Sequence, residues 1–213
     1  MTGRPSVGLA RFVNRPATPS QPPPPEPERC DLCGVLVDER HGHLVDRQEH
    51  GIRCACRPCY LLFTSDTATT GRYRAVPDRY LHDPSRTIAA VDWDDLQIPV
   101  GMAFFLRLSD QDGVTAFYPS PAGATECLLN LEAWERLVAA QPMLAAAQPD
   151  VEAVLIRRTG DDFECFVVPI DACYQLVGTV RMHWRGFDGG AEAKQHIEDF
   201  FANARANAQV FAP

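Results

Sequence analysis

Along the second half of the chain, short apolar runs bounded by turn residues give way to stretches with a helical period, and each change of pattern marks an element. Residues 99–106 and 114–118 predict a β-hairpin, and residues 151–157 and 163–168 predict a second one around Thr159-Gly160-Asp161-Asp162. Asn130 is placed to cap a helix whose apolar face is Leu131, Trp134, Leu137 and Val138, with Pro142 beyond its end. Asp171 is expected to cap a second helix, with Cys173, Leu176, Val177 and Val180 on one stripe. Gly189-Gly190 precedes a third, on which Ala193, Ile197, Phe200, Phe201 and Ala204 recur at helical spacing. Two β-hairpins and about three helices define an α+β domain, assigned to residues 76–213.

The pattern upstream is shorter. Residues 43–45 and 52–54 read as two short strands, and the polar run Asp46-Arg47-Gln48-Glu49-His50-Gly51 between them as a hairpin loop closed by glycine. They lie inside a small module at residues 29–75, which leads into the α+β domain through polar and proline turns. Residues 1–28 carry the run Pro22-Pro23-Pro24-Pro25 and too few apolar residues for a core, so they read as a disordered, proline-rich tail.

The module's chemistry lies in its cysteines. Five of the eight fall between residues 30 and 59. Cys30-Asp31-Leu32-Cys33-Gly34 has the form of a metal knuckle, whose glycine lets the backbone turn its amides toward sulfur. Cys56-Arg57-Pro58-Cys59 repeats the x2 spacing, with proline suited to the first turn of a helix. Cys30, Cys33, Cys56 and Cys59 are therefore the expected metal ligands, and four thiolates suit tetrahedral Zn, with a mononuclear Fe as the alternative. Knuckle, hairpin and a ligand pair at a helix start are the order of a treble clef; a zinc ribbon is the close alternative. A rubredoxin-type iron site generally has glycine soon after each pair, and Tyr60 stands where the second would be, which favours zinc. A closed four-cysteine site leaves no position for water, so its role is structural. Arg29, Arg53 and Arg57 are placed to offset the thiolate charge. Cys54 is expected to pack beneath the hairpin; exposed near the site, it would be a redox thiol. His41 and His43 could replace a ligand, but with four cysteines at hand a supporting role is expected, and His50 is read as solvated.

Composition narrows the setting. Hydrophobic residues make up 46% and charged residues 23%, as in ordinary globular proteins. No apolar run approaches the ~20 residues of a membrane helix, and the first residues lack the apolar core of a signal peptide. A cytoplasmic location is expected, where clustered cysteines point to metal before disulfides. The net charge of −8 is uneven: residues 1–86 hold 12 arginines against 10 acids, and residues 87–213 hold 8 basic residues against 18 acids. An acidic second half argues against nucleic acid as the partner.

Candidates outside the module are sparse. The small-residue segment Tyr118-Pro119-Ser120-Pro121-Ala122-Gly123-Ala124-Thr125-Glu126 reads as a loop between a strand and a helix that could receive a phosphate, although a plain turn is the simpler reading. Residues 183–190, His183-Trp184-Arg185-Gly186-Phe187-Asp188-Gly189-Gly190, have the composition of a binding surface. Cys127, Cys165 and Cys173 read as small core residues. No catalytic set can be assembled from spacing, so no catalytic residue is assigned and the protein is read as non-enzymatic.

Several strings together carry a resemblance. They are residues 29–34 and 54–59, Ile98-Pro99-Val100-Gly101-Met102-Ala103-Phe104-Phe105, the Tyr118–Glu126 segment, Val168-Pro169-Ile170-Asp171 and Trp184-Arg185-Gly186-Phe187. Over roughly residues 29–205 the chain resembles an uncharacterised bacterial family of four-cysteine-knuckle proteins associated with gene clusters for uptake nickel–iron hydrogenases. The resemblance implies an accessory role in assembly, cofactor delivery or electron transfer, with a hydrogenase subunit or maturation factor as partner. A rubredoxin-like electron carrier or thiol redox sensor is the alternative.

Overall fold

The computed structural model describes residues 27–64 and 71–212, so nearly all of the proline-rich tail expected at 1–28 lies outside the described residues. A long antiparallel hairpin, β8 (Glu152–Thr159) with β9 (Asp162–Pro169), forms the centre of the fold, with Gly160 at φ 66° in its turn. The next two strands are β5 (Met102–Leu106) and β6 (Thr115–Ser120), the other expected hairpin, and β5 pairs with β8. β7 (Gly123–Cys127) continues from β6, while two-residue strands β4 (Leu81–His82) and β10 (Gln209–Val210) extend the other edge. The result is a seven-stranded sheet ordered β10-β4-β9-β8-β5-β6-β7. Among the described residues of this sheet, only the β10–β4 pairing is parallel.

Helices cover both faces of this sheet, which is why β8 is buried along six consecutive residues instead of alternating. On one face Ala103, Phe105, Val154, Ile156 and Val167 meet α2 (Ala90–Asp95), α3 (Leu131–Ala140) and α4 (Pro142–Ala145). Phe105 stacks on Trp134 with ring centroids 4.6 Å apart. On the other face Phe104, Leu155, Phe166 and Val168 meet α5 (Ile170–His183) and α6 (Gly190–Asn207) through Cys173, Leu176 and Phe201. The three long helices and both hairpins expected from periodicity are present, within a mixed α+β fold. Asn130 caps α3 as expected, its Oδ1 accepting from the Ala133 amide at 3.2 Å. Asp171 does not cap α5: Pro169 holds that position, and no side chain caps the helix.

A second, three-stranded sheet carries the cysteines. β1 (Gly42–Asp46) and β2 (Gly51–Ala55) are the expected hairpin, joined on the other side of β1 by β3 (Tyr73–Ala75); the helix α1 (Arg57–Leu61) follows β2. Asp46 closes the loop by accepting from the Gln48 and Glu49 amides at 3.2 and 3.3 Å, and its buried carboxylate takes a bidentate contact from Arg72. Val45 and Ile52, paired across β1 and β2, pack into the core beneath α5 and α6. No helix among the described residues is long and apolar enough to cross a membrane.

Candidate metal centre

The first knuckle is built from its own backbone. The Gly34 amide donates to the Cys30 carbonyl and the Cys30 amide to the Val35 carbonyl, each at 2.8 Å, around Gly34 at φ 74°. That left-handed turn is why glycine follows the pair. The second pair rests on α1. Cys56 is the residue preceding the helix, Pro58 lies in the first turn, and the Tyr60 amide donates to the Cys56 carbonyl at 2.9 Å, so Cys59 sits in the first turn. Tyr60 fixes the helix against the hairpin: its hydroxyl donates to the Val76 carbonyl at 2.8 Å, and its ring lies against Gly42. A Cβ at position 42 would come within 2.4 Å of that ring.

Knuckle and helix bring the four sulfurs of Cys30, Cys33, Cys56 and Cys59 within 4.8 Å of one another, and Cys33 Sγ lies 3.6 Å from Cys56 Sγ. Four thiolates around a tetrahedral ion at bond lengths of about 2.3 Å would stand about 3.8 Å apart, so the group is spaced to hold a metal ion. All eight cysteines are free thiols. Burial pushes the Cys30 thiol up, but the amides of Cys56, Cys33 and Leu32 directed at its sulfur outweigh it and bring it down to about 6. The Cys59 thiol is pushed up to about 12, first by its contact with Cys56 and then by burial and the other two sulfurs. The Cys33 thiol is favoured as a thiolate by the Val35 amide but raised overall by Cys30 and Cys56. The first thiolate is stabilised by the backbone and the later ones resist ionisation beside it, an imbalance that a bound cation removes.

Amides thus supply the compensation expected from arginines. Arg29 donates to the Gly34 carbonyl at 3.0 Å and so braces the knuckle. Arg53 instead pairs with Glu49 and approaches Asp46 at 3.7 Å, because strand alternation points it away from Cys54 and Cys56. Arg57 lies over the Tyr60 ring at 5.7 Å.

Cys54 is not part of the four-sulfur group. It stands opposite His43 in the β1–β2 register, and its sulfur gathers with His41 and His43 within 4.8 Å. A third gathering, His183, Glu192 and His196, joins the end of α5 to the start of α6, with His183 Nδ1 2.8 Å from Glu192. It lies beside the 183–190 loop, where Phe187 is fully exposed. Residues 118–126 are corrected from loop to hairpin: Ser120 is opposite Gly123 and Thr125 opposite Tyr118, so Thr125 and Glu126 belong to a strand. Burial pushes Cys165 up to about 12 and raises Cys173 further, in keeping with core thiols. His50 is half exposed, 3.6 Å from Asp110.

Over residues 29–208 the chain matches DUF5947, a family of unknown function, and it belongs to that family. No curated protein matches it, and no solved structure does.

Proposed function

We propose that the four cysteines hold one structural Zn²⁺ in a treble-clef arrangement, and that the chain is a non-enzymatic accessory protein docking to a component of a nickel–iron hydrogenase. The observation that carries the first part is closure. Four sulfurs come from two backbone-rigid units, a knuckle and a helix start, and four such ligands complete the shell of a tetrahedral Zn²⁺ and leave no position for water. The helix at the second pair supports zinc over a two-knuckle iron site. Eight free thiols support a reducing compartment, the cytoplasm.

For docking, support comes from the knuckle's surroundings. Val35 and Leu36 are more than half exposed, Leu32 stands beside them in sequence, and Leu61 and Leu62 are exposed at the end of α1. The partner class rests on the resemblance to proteins of hydrogenase gene clusters and directs the search to a hydrogenase subunit or maturation factor.

Two measurements on the full chain test this reading. Elemental mass spectrometry of freshly purified protein should give about one tightly held zinc per chain at the four-sulfur site, with no visible colour. Iron with visible absorption that bleaches on reduction would replace the structural reading with electron transfer. Co-purification should recover a hydrogenase subunit or maturation factor, and replacing Leu36 and Leu62 with serine should abolish the recovery. A metal-loaded chain that recovers none would overturn the docking role.

A further inference from the structure

We propose that His41, His43 and Cys54 form a second metal site, distinct from the four-cysteine group, which takes a divalent ion of borderline softness such as Zn²⁺ and leaves one coordination position open to a cleft.

The strongest observation is a nitrogen with nothing to bond. Among the described residues, His41 Nε2 is the one buried side-chain nitrogen or oxygen without a hydrogen-bond partner, and the His41 side chain is only 7% exposed. Buried polar atoms are almost always satisfied, so an orphan calls for an occupant. Its tautomer follows from the other end of the ring. His41 Nδ1 lies 2.7 Å from the Asp38 carbonyl, which can only accept, so Nδ1 carries the hydrogen and a neutral ring presents a bare lone pair at Nε2.

His43 repeats the arrangement. Its Nδ1 lies 2.7 Å from Asp171 Oδ2, a carboxylate that accepts, which again puts the hydrogen on Nδ1 and the lone pair on Nε2. Imidazoles held this way, with the far N–H on a carbonyl or a carboxylate, are oriented as metal ligands are. The third donor comes from strand register. His41 and His43 share a face of the chain entering β1, and Cys54 is the direct partner of His43 on β2. One ligand atom from each of the three lies within 4.8 Å of the others. A tetrahedral ion would draw such nitrogens and sulfur to about 3.3–3.6 Å, a closure within the reach of side-chain rotation.

Two imidazoles and one thiolate make a mixed set that suits zinc and neighbouring first-row ions over calcium or magnesium. The surroundings favour a cation. His41, His43 and Asp171 line a cleft of about 850 Å³ between the cysteine module and the start of α5, whose wall carries five carboxylates against Arg40 and Arg57. Three protein donors leave a fourth position, and the cleft gives water or a small donor ligand access to it. The four-cysteine group has no such position.

The test is metal stoichiometry in the full chain, with Zn²⁺ for counting and Co²⁺ for its spectrum. Wild type passed through gel filtration in excess Zn²⁺ should retain two equivalents. Cys54→Ser and His43→Gln should each retain one, with far-ultraviolet circular dichroism unchanged. The cobalt spectrum of Cys54→Ser should keep the intense charge-transfer band of a four-sulfur site, while the wild-type-minus-variant difference shows a site with one sulfur. A wild type that binds one equivalent or none, or a Cys54→Ser chain that still binds two, overturns the proposal. Loss of the four-sulfur band with the mixed-site spectrum intact would instead strike the structural-zinc reading, so the two fail separately.

Discussion

Glu152 is a fully buried charge, and its replacement gives a sharp test of how the segment between β3 and β4 is held to the central sheet. Its side chain is fully enclosed, and its carboxylate accepts from Arg79 Nε at 2.8 Å, Arg79 Nη2 at 2.6 Å and the Gln148 amide at 2.9 Å. Glu152→Gln keeps the size but leaves one oxygen to serve three donors and sets an amide NH₂ against the guanidinium. Each hydrogen bond to a charged group contributes about 1.5–3 kcal/mol, but Arg79 is one-third exposed and water recovers part of the loss. Breaking one side of a buried pair costs about 3–5 kcal/mol, and the isosteric change belongs near the lower end. Against a typical domain stability of about 5–15 kcal/mol, that is a large shift in the urea midpoint at fixed metal loading. The double variant Arg79→Met with Glu152→Met removes both charges and should regain more than half of the loss. A single-variant loss below about 1 kcal/mol, or a double variant no more stable than the single one, would refute this account of the pair.

Other perturbations read other joints. Gly42→Ala drives a methyl group into the Tyr60 ring and should destabilise by about 1–3 kcal/mol in the same unfolding assay, with weaker metal retention because α1 carries Cys59. Asp46 is held down to about 2, chiefly by Arg72, so its contribution is complete above the ordinary carboxyl value of 3.8 and is lost as pH falls through about 2. Asp46→Asn should therefore be less stable than wild type near neutrality, with the difference shrinking in acid; a difference that does not change with pH would dissociate the carboxylate from it. Cys33→Ser removes a sulfur from the four-sulfur group and should release its metal, read as lost zinc by mass spectrometry and as faster proteolysis within residues 29–63. Proteolysis unchanged from wild type would mean that the metal does not hold the module.

What was legible in the sequence, and what was not, divides along the range of the interactions. The hairpin of β8 and β9 declares itself through two apolar runs on either side of Thr159-Gly160-Asp161-Asp162, and the helices α3, α5 and α6 through a helical period. β7 does not, because Gly123-Ala124-Thr125-Glu126-Cys127 is short and mostly small, and its strand character comes from pairing with β6. The two-residue strands β4 and β10 and the uncapped helix α2 are likewise fixed by neighbours. The four-cysteine group was legible because ligand spacing is local within each pair. The partners of Cys54 were not: they depend on the register that sets His43 against it, and Asp171 reaches His43 across 128 positions of sequence. Read along the chain, Asp171 looks like a helix cap; in the fold its carboxylate is turned to the histidine instead.

The uneven charge acquires a physical meaning from the same long-range contacts. Three arginines of the more basic half reach the turn that leads into β8. Arg47 meets Asp150 at 3.2 Å, Arg74 donates to the Pro149 carbonyl and the Gln148 side chain at 2.6 and 2.8 Å, and Arg79 takes Glu152. Arginine suits this work because one planar group can satisfy a carboxylate and a carbonyl at once. The positive excess of residues 1–86 is thus partly neutralised inside the protein, and less of it is left for a nucleic-acid backbone. The hydrogen bond between His43 and Asp171 adds another contact between the module and the body. A change at the β1–β2 hairpin is therefore coupled to the first turn of α5 through a single hydrogen bond, and to the β8 turn through arginines. A partner that moved the module would have to break charge-assisted contacts, which favours recognition of the module in place over recognition of a detached finger.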